Sequence, residues 1–134
     1  MRLVTMLAIS LFACHPGTQT AHEPVPTGIW GGNGMQLKVT NKGGVIDYGC
    51  DSGTIDERLQ TDSHGKFSAR GTHTFGRGGP RQPGQPGAKP REAQYEGVRK
   101  GDELELTVRL PDLDRKIGTF TVKLGQPPTL ERCG

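Results

Sequence analysis

The chain has 134 residues, which leaves room for one domain and no more. With 31% hydrophobic residues, 21 Gly and 10 Pro, it can build only a thin core joined by many turns. A net charge of +3 with 5% aromatics is too weak a basis for nucleic-acid binding, which needs cations interleaved with stacking rings.

The first segment is cationic at Arg2 and apolar over residues 3–12, interrupted only by Thr5 and Ser10. About ten apolar residues fall far short of the ~20 that span a bilayer as a helix. A short apolar run behind a cationic start is an export signal, here residues 1–13, to be left out of fold reasoning. The last three residues of this segment and the one that follows, Leu11-Phe12-Ala13-Cys14, resemble the lipobox of bacterial lipoproteins. That resemblance implies cleavage before Cys14, which would carry the lipid. His15 in place of an Asp after it implies sorting to the outer membrane. The competing reading is an ordinary signal peptide with an incidental Cys, cut at a small-x-small site. The best later candidate, before His22, has Gln19 at its third position. Residues 14–27, with Pro16, Gly17, Pro24 and Pro26 among polar residues, read as a flexible tether.

The domain is then expected over residues 28–134, and its strands are marked by period-2 alternation and by turns. Met35, Leu37 and Val39 alternate with Gln36, Lys38 and Thr40 before Asn41-Lys42-Gly43-Gly44. Ile46, Tyr48 and Cys50 form the next apolar face, and residues 54–59 a weaker strand. Phe67, Ala69 and Gly71 follow, then Ala93, Tyr95 and Gly97. The clearest strand sets Leu104, Leu106, Val108 and Leu110 against Glu103, Glu105, Thr107 and Arg109. Phe120, Val122 and Leu124 make another, and residues 129–133 a short last one. About eight strands joined by tight turns predict an all-β fold, a small antiparallel up-and-down barrel, with a β-sandwich as the alternative. Mid-strand Gly71, Gly97 and Gly118 are expected where a Cβ would crowd a coiled sheet.

Residues 76–90 interrupt this pattern as an insertion rich in Gly and Pro. It carries Arg77, Arg81 and Lys89 and no acid, so it reads as solvated and as a candidate contact for an anionic partner.

With Cys14 lipid-modified, Cys50 and Cys133 remain in an oxidising compartment, where two leftover cysteines usually pair. Two free thiols, or a cysteine metal site, are the alternative.

Gly28-Ile29-Trp30 resembles the Gly-x-Trp that opens lipocalins and avidins. The lipocalin resemblance implies a Trp plugging one barrel end with an Arg stacked across it, which here would be Arg132. Biotin binding in avidins needs several Trp, and this chain has one. A resemblance to an uncharacterised family of small exported bacterial proteins covers nearly the whole domain. It rests on Trp30-Gly31-Gly32, Gly49-Cys50, Gly53-Thr54-Ile55-Asp56, Gly71-Thr72-His73, Tyr95-x-Gly97, Gly118-Thr119-Phe120-Thr121 and Cys133. It implies export and a disulfide and brings no activity.

His73 continues the inward phase of Phe67, Ala69 and Gly71. It is most simply a buried His with a hydrogen-bond partner, and otherwise a ligand or catalytic group. Asp51, Asp56 and Glu57 are the candidate acids to join it. His64 falls in a turn, and His15 and His22 in the tether. Neither Cys-x-x-Cys, His-Glu-x-x-His, Gly-x-Ser-x-Gly nor a phosphate-binding loop occurs. The expectation is therefore a non-enzymatic binding or accessory module with no catalytic residue, metal or cofactor. Its candidate ligand-lining residues are Trp30, His73, Tyr95 and Arg132. It would be anchored through Cys14 in the outer membrane, facing the periplasm, and meet a small ligand or an envelope protein. A small β-barrel protease inhibitor that inserts an N-terminal arm is the alternative.

Overall fold

A computed structural model describes residues 22–76 and 88–133. The strands are β1 (Glu23–Pro24), β2 (Gly28–Gly32), β3 (Met35–Thr40), β4 (Gly43–Asp47), β5 (Ser52–Ile55), β6 (Gln60–Thr61), β7 (Lys66–Thr74), β8 (Arg91–Lys100), β9 (Glu103–Leu110) and β10 (Arg115–Leu124). Eight of them form a closed barrel in the order β10-β2-β3-β4-β5-β7-β8-β9, every neighbouring pair antiparallel. The sandwich alternative is thereby excluded. Closure comes from β10 against β2, with Val122 opposite Gly32 and Leu124 opposite Trp30. Such closure leaves no exposed sheet edge. Among the described residues no helix is long and apolar enough to cross a membrane.

Alternation does the work that the sequence pattern assigned to it. Met35, Leu37 and Val39 point inward, as do Leu104, Leu106, Val108 and Leu110, and all are buried. Two of the three mid-strand glycines are close-approach positions. A Cβ on Gly71 would overlap the Thr54 carbonyl oxygen, and one on Gly97 the Glu105 carbonyl oxygen and the Phe67 ring. Gly118 is different. Its Cβ would meet only the Phe120 ring, at 3.3 Å, beside the register shift between Lys116 and Gly118. The crowding there is milder and comes from a side chain, not from the backbone of a neighbouring strand.

Three expectations need correction. Residues 14–27 are not tether throughout. Glu23–Pro24 pairs with β6, the Val25 N–H donates to the Leu59 carbonyl at 3.0 Å, and Val25 and Leu59 are buried. Apolar Val25 has a place to go that its polar neighbours concealed. The weak strand over residues 54–59 splits, because pairing with β7 ends at Ile55 and β6 serves the N-terminal arm instead. Residues 129–133 are not a barrel strand. The chain after β10 turns at Gly125 and runs back over the outer face of β2 as a strap. The Gly125 N–H donates to Ile29 at 2.8 Å and the Thr129 N–H to Gly32 at 3.0 Å; the Gly34 N–H donates to Thr129 at 2.7 Å. Gly31 makes this passage possible, since a Cβ there would overlap the Gln126 carbonyl oxygen.

The barrel thus has two unlike ends. The arm end is covered by β1, β6, Val25 and Leu59. The bridge end carries the connections around residues 48–51, 75–76 and 111–114. There the Cys50–Cys133 disulfide pins the strap, with a Cα–Cα separation of 4.8 Å.

Candidate functional site

The interior is packed. Trp30, Met35, Leu37, Ile46, Tyr95, Leu104, Leu106 and Leu110 are fully or almost fully buried within one cluster. An eight-stranded barrel is just wide enough for its own side chains to fill, and here they do. Trp30 is 0% exposed and donates its indole N–H to the Pro26 carbonyl at 3.1 Å, which fastens the arm to the barrel. Arg132 is exposed, and the cation–π contact described is Arg115 over Phe75, at 5.6 Å. The lipocalin-like Arg132–Trp30 stack is therefore absent among the described residues.

The polar part of the core lies toward the bridge end. β7 aims His73 inward by the same alternation that buries Phe67 and Ala69, and the ring is 0% exposed. Its Nε2 lies 3.1 Å from Asp51 Oδ2, and the other carboxylate oxygen accepts the Gly76 N–H at 2.8 Å. Asp51 is 27% exposed and so connects His73 to solvent. Aromatic edges complete the surroundings. Tyr48 packs on His73 at 5.0 Å between ring centroids and on Phe120 at 5.5 Å, while Phe75 packs on His73 at 4.9 Å.

Deeper in, the Tyr95 hydroxyl donates to the Thr72 carbonyl at 2.6 Å, in the space left by Gly53, whose Cβ would meet that hydroxyl. Burial raises both tyrosines well above their ordinary value of 10.0; for Tyr48, neighbouring Tyr95 and Asp51 push the same way. The Tyr48 hydroxyl stands beside Tyr95 without completing a hydrogen bond. It and His73 Nδ1 are the buried side-chain polar atoms left without a partner among the described residues.

Of the acids weighed against His73, only Asp51 joins it. Asp56 accepts the Thr54 hydroxyl at 2.9 Å and Glu57 the Arg70 N–H at 3.1 Å, both toward the opposite end of β5. His73 and Tyr95 belong to one region through Tyr48; Trp30 and Arg132 lie outside it. Tyr48, Phe75, Phe120 and Arg115 were not singled out from the sequence. Their inward phase was legible for Tyr48 and Phe120, and their convergence was not. His64 sits in an exposed turn, where Asp62 accepts its N–H at 2.8 Å and that of Lys66 at 2.9 Å. These two backbone bonds hold the Asp62 carboxyl below the usual carboxylate range.

No group of three His, Cys, Asp or Glu side chains is placed to hold a metal ion among the described residues. Lys89 is exposed; Arg77, Arg81 and Cys14 lie outside the described residues. On the outer face of β7, β8 and β9 runs an open groove of about 340 Å³, lined by Lys66, Ser68, Glu96, Val98, Glu105 and Arg109 among others. Comparison of the chain with known protein families, curated proteins and solved structures gives no match.

Proposed function

We propose that this chain is a lipid-anchored protein of the bacterial cell envelope, and that its barrel is a non-enzymatic binding or accessory module working through its outer surface. The observation that carries the second half is the filled interior. Ligand-carrying barrels need a hollow of several hundred Å³ for a drug-sized molecule. Here Trp30, Tyr95 and the Leu side chains of β9 occupy that volume. The outer groove on β7–β9 and the cations of the 76–90 insertion, Arg77, Arg81 and Lys89, are then the surfaces for a partner.

The first half rests on the residues around Cys14 and fits the geometry of the arm. Eight chain steps lead from Cys14 to His22, a reach of at most ~29 Å. The described chain joins the barrel at the arm end. Anchoring at Cys14 therefore tethers the domain to the membrane through its arm end. An inhibitor acting through a free N-terminal arm has less support, because residues 23–25 are engaged on the barrel itself.

Native mass spectrometry of protein drawn gently from envelopes tests the surface reading. It should give the mass of the lipidated chain alone. A stoichiometric organic molecule that survives dilution and leaves on unfolding would show an interior carrier instead.

A further inference from the structure

Two polar atoms in the barrel core remain to be explained, His73 Nδ1 and the Tyr48 hydroxyl. Buried polar groups are almost always paired, with protein or with ordered water, because an unmet one carries its full desolvation penalty. Among the described residues these two atoms lack a partner, and their rings pack together, with centroids 5.0 Å apart and inclined at 61°. A lone orphan suggests strain; two on packed rings suggest a shared guest.

The chemistry of that guest follows from Asp51. A carboxylate only accepts, so His73 presents an Nε2 proton to Asp51 Oδ2 at 3.1 Å. In the Nε2–H tautomer Nδ1 is the acceptor. The Tyr48 hydroxyl keeps its proton in the folded barrel, because burial pushes its ionisation far up. The guest must donate to Nδ1 and accept from, or donate to, a phenol. A cation is a poor fit, since the two atoms are one ring nitrogen and one protonated phenol. Phe75 packs on His73 and Phe120 on Tyr48, so the surroundings are otherwise aromatic.

We propose that a single buried water molecule bridges His73 Nδ1 and the Tyr48 hydroxyl. Asp51, His73, this water and Tyr48 then form one hydrogen-bonded chain running from solvent at the bridge end to the region of Tyr95 and Thr72. The filled core is thereby held in one register by polar contacts as well as by packing. Buried waters of this kind are structural parts, costly to remove. The proposal concerns the interior only, so it stands or falls independently of the envelope function proposed above.

The test uses the full chain and three readouts. Tyr48→Phe removes one partner of the water, so the melting midpoint should fall by roughly 4 °C. If the hydroxyl were truly unmet, its removal would leave the midpoint unchanged or raise it, and the proposal would fail. The ¹⁵N shift of His73 Nδ1 should be that of a hydrogen-bonded acceptor in both the parent and Tyr48→Phe, with magnetisation transfer from water to the His73 ring protons. A bare-lone-pair shift in the parent overturns the proposal. So does a bonded shift that becomes bare in Tyr48→Phe without water transfer, which would reveal a direct Tyr48–His73 bond.

Discussion

Reduction of the Cys50–Cys133 bond, or its replacement in the paired variant Cys50→Ala/Cys133→Ala, should lower the melting midpoint steeply without abolishing the fold. The bond closes a loop spanning 83 positions. The chain-entropy treatment assigns a loop of that length about 4.5 kcal/mol, exerted on the unfolded state. Part of this returns in the folded protein. Upstream of residue 130 the strap remains fastened by the Gly125, Thr129 and Gly34 hydrogen bonds, while residues 130–133 are free to fray once the bond is gone. A net loss of about 3–4 kcal/mol corresponds to roughly 12–16 °C for a domain of this size. The barrel itself closes through β10 and β2, independently of the bond, so the reduced protein should still melt in one cooperative step. Far-UV circular dichroism melts with and without reductant measure the shift, and the fluorescence of Trp30 reports whether the reduced core stays dry at room temperature. A fall below 5 °C would refute the loop-entropy argument. Loss of the folded baseline would show that the strap, and not strand closure, holds the barrel together.

The other predictions address the core, the glycines and the surface. Both tyrosines of the chain have folded-state pKa values raised above the ordinary 10.0, so the stability they confer is complete below pH 10 and declines as pH rises above it. Tyrosinate absorbance should therefore appear only as the protein unfolds in alkali; a reversible titration near pH 10 in folded protein would contradict this. Gly71→Ala forces β5 and β7 apart at the Thr54 carbonyl and should cost about 2–3 kcal/mol by denaturant titration. Gly101→Ala, at φ +59° with nothing within 4 Å, should cost only about 1 kcal/mol, and equal losses would disprove the crowding argument. Cys14→Ala should end palmitate labelling and release the protein from membranes; unchanged labelling would exclude the anchor. Replacing Arg77, Arg81 and Lys89 by Ser should leave the melting midpoint within a degree or two and abolish salt-sensitive binding to anionic vesicles or glycans, if the insertion makes that contact.

Fold class was legible because a barrel strand writes itself locally. Side chains alternate across the sheet with period 2, so Leu104, Leu106, Val108 and Leu110 declare both a strand and its buried face within eight residues. The pairing of Cys50 with Cys133 was also within reach, since two cysteines left over allow one bridge. The sequence also singled out His73, because its phase along β7 continues that of Phe67 and Ala69.

What remained hidden depends on contacts between residues far apart in the chain. Val25 lies among polar residues and Pro, so no local period marks it as core; it is buried only because β6 and Leu59 come to meet it. Residues 129–133 have the composition of a strand. They become a strap because β2 already has β3 and β10 on its two sides, leaving only its outer face, cleared at Gly31. The same holds for the polar core. Asp51, Asp56 and Glu57 are equivalent in sequence as partners for His73, and the register of β5 against β7 sets Gly53 opposite His73, which leaves Asp51 alone at the mouth. Local periodicity decides which way a side chain points, whereas barrel closure and register decide what it meets there.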